Sequence, residues 1–80
     1  METIIKVIDL LGSDIRSRLN AEKIRNRIDG QTVVDFSGVK FMSRSFADEL
    51  YNICHGNPLV RLEGMSEFVH SMYNTVSDGR

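Results

Sequence analysis

Ser43, Arg44 and Ser45 place two hydroxyls on either side of a cation, inside the stretch DFSGVKFMSRSFADEL that runs from Asp35 to Leu50. Three chemistries suit that arrangement. A serine at the start of a helix can cap it, and Ser45-Phe46-Ala47-Asp48 matches a capping box ahead of an apolar run, worth about 1 kcal/mol. The same position tolerates a phosphate, because unpaired N–H groups and the helix dipole favour negative charge there; Ser45 and Ser43 are the candidate phosphorylation positions, with Arg44 and Arg18 as partners. The third chemistry is the capture of a small anion or nucleotide by the same N–H groups and arginines.

Catalysis finds no constellation. GVKFMSRSF lacks the G-x-S-x-G spacing of a nucleophile elbow, and no histidine lies near its hydroxyls in the sequence. LGSD is too short for a phosphate-binding fingerprint. Asp48 and Glu49 are neighbours on a helix, so their side chains diverge by about 100° and do not act as a paired acid and base. Cys54 with His55 and His70 makes no zinc set. The expectation is a non-enzyme without cofactor or metal.

The bulk numbers narrow the class of partner. Eighty residues make one domain spanning 1–80, and a chain of this size buries only about 60–65% of the surface it exposes when unfolded, so a partner can matter to its stability. A net charge of −1 argues against nucleic acid as ligand. No apolar run reaches membrane-spanning length, and no secretory h-region is evident. A single cysteine excludes an internal disulfide and suits a reducing compartment, so the expected location is cytoplasmic.

The elements that must position the serines alternate between strand and helix. Strands are expected at Ile4 to Leu10, Thr32 to Phe36 and Leu59 to Glu63. Ala21, Ile24 and Ile28 share one helical face, whereas Ile15 and Leu19 fall out of phase with it. A loop is therefore expected from Gly12 to about Ser17, with the first helix settling near Arg18 to Glu22 behind Ser17 or Asn20 as cap. Phe46, Ala47, Leu50, Ile53 and Cys54 mark the core face of a second helix; Met65, Phe68, Met72 and Val76 mark a third. Gly30 and Gly56 stand where left-handed C-caps are expected, and Pro58 stops the second helix. Ser77 to Arg80 reads as a loose tail.

Such alternation implies an α/β fold: a small, three-stranded, mostly parallel sheet in βαβαβα order. With strands in the order 1-2-3, right-handed crossovers place the helices mainly on one face. The loops leaving the strand ends gather Arg16, Arg18, Lys40 and Arg44 with Ser13, Ser43, Ser45 and Ser66 on one rim. Asp35 is expected to hold N–H groups of the Gly38 loop, and His55 to cap carbonyls at the end of its helix. The uncovered sheet face invites a second copy or another protein.

The stretch TVVDFSGVKFMSRSFADELYNI resembles the central motif of STAS-like domains of unknown function, small bacterial and archaeal modules distantly related to anti-sigma-factor antagonists. The likeness lies in Asp35-Phe36, Gly38-Val39, Ser43 and the Ser45-to-Glu49 run, with SRLNAEKIRNRI similar to the family's Ser-Arg and following helix. It covers about Leu11 to Leu62. The resemblance implies a regulatory protein-interaction domain that meets a regulator or kinase-like ATPase, with a serine at the second helix as the switch. It places Arg44 at the position usually phosphorylated and Ser43 where an aspartate is common, so a switch here runs through Ser45 or Ser43. The rim and the resemblance together give the candidate binding set: Arg16, Arg18, Asp35, Ser43, Arg44, Ser45, Asp48 and Glu49.

Overall fold

Val34, flanked by Thr32, Val33 and Asp35, lies in the central strand of a three-stranded parallel sheet, where β-branched side chains suit a strand with a neighbour on each side. Residues 2–78 are described, in a computed structural model, in the order β1 (Thr3–Lys6), α1 (Val7–Leu11), β2 (Asp14–Ile15), α2 (Asn20–Arg25), β3 (Thr32–Asp35), β4 (Phe41–Met42), α3 (Arg44–His55), β5 (Val60–Glu63) and α4 (Glu67–Asp78). The main sheet runs β1-β3-β5, the sequential order expected, with Ile5 beside Val34 and Val34 beside Leu62. A second parallel pair, β2 with β4, lies outside it.

Several boundaries differ from expectation. The first strand stops at Lys6 instead of reaching Leu10. Val7, Ile8, Leu10 and Leu11 fit helical spacing as well as strand alternation; β3 ends at Asp35, opposite Lys6, so a longer first strand has nothing to pair with and the chain turns into the helix. Gly12, at φ +85°, ends that helix with its N–H on the Ile8 carbonyl at 3.0 Å. The segment expected as a loop contains β2, which buries Ile15 completely and explains why Ile15 is out of phase with α2.

The late start of the first expected helix is observed: α2 begins at Asn20. Its N-cap position is Leu19, not Ser17 or Asn20, and Ser17 contributes by accepting the Leu19 N–H at 3.2 Å. After Arg25 the chain tightens into i−3 bonds, Arg27 N–H to Ile24 and Ile28 N–H to Arg25, so Ile28 still packs on the core beyond the helix. Gly30 is consequently no helix cap; its φ of +62° serves the turn into β3. Gly56 follows α3 but with φ −84°, in the right-handed region, leaving the stop to Pro58.

The core joins Phe36, Phe46, Ile15, Ile24, Met42 and Leu50, all fully buried, each worth about 1.5–3 kcal/mol. Helix α3 lies between α2 and α4, in contact with both. The buried stripe of α4 runs through Val69 and Val76, with Met72 and Tyr73 half-buried. Phe68, expected in the core, is 48% exposed, and Met65 precedes the helix. Ser77 and Asp78, expected in a loose tail, complete α4; Gly79 and Arg80 lie outside the described residues.

Candidate functional site

The short β2–β4 pair builds the rim. Its register sets Asp14 beside Phe41 and Ile15 beside Met42, so Arg16 and Ser43, the next residue of each strand, emerge together. Ser43 ties them: its N–H donates to the Ile15 carbonyl at 2.8 Å and its hydroxyl to the Arg16 carbonyl at 2.7 Å. The same oxygen accepts the Phe46 N–H at 3.2 Å, which makes Ser43 the cap of α3.

That corrects the expected capping box. Ser45 lies inside the first turn of α3 and does not cap it, because Ser43, two residues earlier, has the extended backbone a cap needs. Ser45 and Arg44 are both solvent-exposed, whereas the Ser43 hydroxyl is committed on two sides.

The other site residues divide into groups. Arg18 turns to α3, its guanidinium 3.0 Å from Glu49, and Arg25 approaches the same carboxylate at 3.7 Å. Glu49 is mostly covered and Asp48 half-buried on the same helix. Asp35 accepts the Ser37 hydroxyl at 2.7 Å and the Ser37 N–H at 2.9 Å, so it holds its own turn at Ser37, one residue before Gly38. Those two bonds, the hydroxyl's first, hold its carboxyl below the usual aspartate value; Lys6 adds a smaller push in the same direction, against a small penalty from burial.

Arg16 does more than the sequence indicates. Its guanidinium lies 5.0 Å from the centre of the Phe41 ring and 3.2 Å from the Asp14 carboxylate. Phe41 in turn stacks on Phe68 at 5.5 Å and 26°. An exposed cation–ring contact of this kind is worth about 0.5–1 kcal/mol. Phe68 also lines a shallow depression with Lys40, Ser66, Glu67 and Ser71. Phe41 and Phe68 were missed as site residues. The one legible signal was Phe41 itself, an aromatic between Lys40 and the serines and outside any helical stripe.

His55, in the last turn of α3, stacks on Tyr51 at 5.4 Å. Among the described residues no group of three or more His, Cys, Asp or Glu is placed to hold a metal ion, and no helix is long and apolar enough to cross a membrane. No protein-family model, curated protein or solved structure matches the chain.

Proposed function

We propose that this chain is a non-enzymatic, cytoplasmic interaction module of STAS-like architecture, with its helices mainly on one face of the β1-β3-β5 sheet. It docks another protein, a regulator or kinase-like ATPase, on the rim where Arg16, Phe41 and Phe68 stack beside Arg44 and Ser45. The observation that carries this reading is the stack: two aromatic rings and a guanidinium, with Phe68 half-exposed, present flat apolar area and charge together. Aromatic and arginine side chains are the residues that dominate protein-binding energetics.

Control falls to Ser45. Phosphate there meets the N-terminal turn of α3 and Arg44, while Ser43 loses its cap if modified. The anion-sensor reading has less support, because Arg18 already faces Glu49 and Arg16 already faces Asp14. Self-association through the open sheet face also has little to draw on: its apolar content is Ile4 and Val33, among Lys6, Asp35, Arg61 and Glu63.

The test is affinity capture from the native host with wild-type, Phe68→Ser, Ser45→Asp and His55→Ala baits. A docking rim predicts a partner kept by wild type and by His55→Ala, and lost by Phe68→Ser and Ser45→Asp. The same partners on all four baits would remove the rim as the docking surface. A phosphate mapped to Ser45 of recovered bait supports the switch; partner loss in Phe68→Ser alone leaves docking without it.

A further inference from the structure

Strand β1 is an edge of the main sheet, and its outer side is a groove lined by Thr3, Ile4, Ile5, Lys6, Asp9, Leu10 and Arg27. The Thr3 N–H donates to the Gln31 carbonyl at 2.8 Å, so Thr3 and, two residues on, Ile5 direct their backbone groups at β3. Ile4 directs both of its backbone groups into the groove and Lys6 directs its N–H there, while the Lys6 carbonyl, at the N-cap of α1, accepts the first bond of that helix. Ile4 is also 60% exposed, on the sheet face opposite to Ile5.

From this edge we infer that two copies of the chain associate by pairing β1 with β1, antiparallel, across a two-fold axis centred on Ile4. The sequence Glu2-Thr3-Ile4-Ile5-Lys6 is complementary to itself in that register. Ile4 meets Ile4, Thr3 meets Ile5, and Glu2 of each copy meets Lys6 of the other, twice. A two-fold that extends the sheet without turning it over requires directly opposite residues to lie on the same face. Centring on Ile4 meets that requirement: the two Ile4 residues exchange both backbone hydrogen bonds, and the Lys6 N–H of each copy faces the Glu2 carbonyl of the other.

Centring on Ile5 instead sets Ile4 against Lys6 and runs into Val7, which is already helical. A lysine on an edge strand ordinarily discourages pairing. Here the two-fold matches it to a carboxylate, and opposite charges facing one another across a strand pair favour the register. Glu2 approaches Arg61 at 3.5 Å within its own chain and stays accessible, its side chain 42% exposed. The groove wall carries Asp9 and Arg27, of opposite sign, so two walls brought together are not like-charged. The result is one six-stranded sheet, and the rim described above takes no part in it.

Sedimentation and concentration-dependent amide exchange test this with the intact chain. An interface this short is below the standard size for stable complexes, so the dimer is expected to be weak and clear by about 1 mM. Ile4→Pro removes the two central donors from a position that gives β3 nothing, and is expected to abolish the dimer with the circular dichroism of the monomer intact. Lys6→Glu sets like charges opposite each other twice and is expected to give a monomer; the exchange Glu2→Lys with Lys6→Glu restores complementarity and is expected to restore the dimer. Protection of the Ile4 and Lys6 amides should rise with concentration in wild type and in the charge-exchanged chain. A wild type that stays monomeric at about 1 mM, or a Lys6→Glu chain that dimerises as wild type does, overturns the proposal. Loss of dimer in Phe68→Ser, with Lys6→Glu unaffected, would place self-association on the rim and overturn it equally.

Discussion

The hydroxyl of Ser43 donates to the backbone carbonyl of Arg16 at 2.7 Å across the β2–β4 pair, while its oxygen caps α3 by accepting the Phe46 N–H. One side chain thus fixes where α3 begins and holds Arg16 under its Phe41 partner. Ser43→Ala is expected to cost about 1–2 kcal/mol in urea unfolding, because it removes a cap and leaves its partners to water. Ser45→Ala is expected to stay within about 0.5 kcal/mol, as for an exposed position that caps nothing. Equal costs at the two serines would return the cap to Ser45.

Gly64 sits against the Asp35 turn. Its φ is +73°, and a methyl group there would lie 2.5 Å from both Asp35 Oδ1 and Ser37 Oγ. A methyl group on Gly30, at φ +62°, would have nothing within 4 Å of it. Gly30→Ala is expected to cost about 1–2 kcal/mol from backbone conformation alone. Gly64→Ala is expected to cost clearly more, since the Asp35–Ser37 bonds must open. The difference between the two variants in one denaturant series measures the crowding.

Asp35 also sets an acid limb. Its carboxyl is held below the ordinary 3.8 in the folded chain, first by the Ser37 hydroxyl and then by the Ser37 N–H. A group depressed on folding adds stability that is complete above its unfolded pKa and is lost as pH falls through its folded value. Melting temperature should therefore decline below about pH 4. Ser37→Ala, which removes the largest contributor, should flatten that decline; an unchanged acid profile in Ser37→Ala would show that the bond does not hold the charge.

At the alkaline end the sign reverses. Burial pushes Tyr73 up from 10.0 to about 12, with Cys54 beside it adding to the rise. Burial likewise raises the Cys54 thiol, opposed in part by its hydrogen bond with Tyr73. Groups raised on folding give stability that is full below their unfolded pKa and disappears as pH climbs through the folded one. Thermal stability should fall between pH 10 and pH 12, the interval Tyr73 spans, and fall less in Tyr73→Phe. Alkylation of Cys54 at neutral pH should be slower than that of a free thiol, because less thiolate is present.

Glu49 receives two arginines, Arg18 and Arg25, at 3.0 and 3.7 Å. Both arginines are substantially exposed, so the pairing is screened, and Glu49→Gln is expected to cost less than about 1 kcal/mol. The loss should shrink further when the melt is repeated in high salt. A loss independent of salt would mean that packing, not charge, is the contribution.

The sequence was readable where one signal dominated. The apolar run at Thr32 to Phe36 and the apolar face of α3 each carry one unambiguous signal, and both elements form, the strand stopping one residue short at Asp35. Val7 to Leu11 satisfied two periods at once, and the end of β3 at Asp35, which leaves the chain beyond Lys6 without a strand to pair with, chose between them. Strands β2 and β4 are two residues each, too short for any pattern to register, yet they create the rim. Ser45-to-Asp48 was a complete local capping pattern, overruled because the pairing of Ile15 with Met42 sets the extended cap position at Ser43, two residues earlier. Phe68 was assigned to the core by spacing from Met65 and Met72; the buried stripe actually centres on Val69 and Val76, which rotates Phe68 outward onto Phe41.

The sequential order β1-β3-β5 also bears on how the chain is made. Each strand pairs with the next main-sheet strand to leave the ribosome, so β1, α2 and β3 can close as a unit before α3 exists. Until β5 arrives, the far edge of β3 stands open along Thr32 and Val34, two β-branched residues whose backbone groups face β5. Slow translation between Asp35 and Val60 would lengthen the time for which that strand edge is open to another chain.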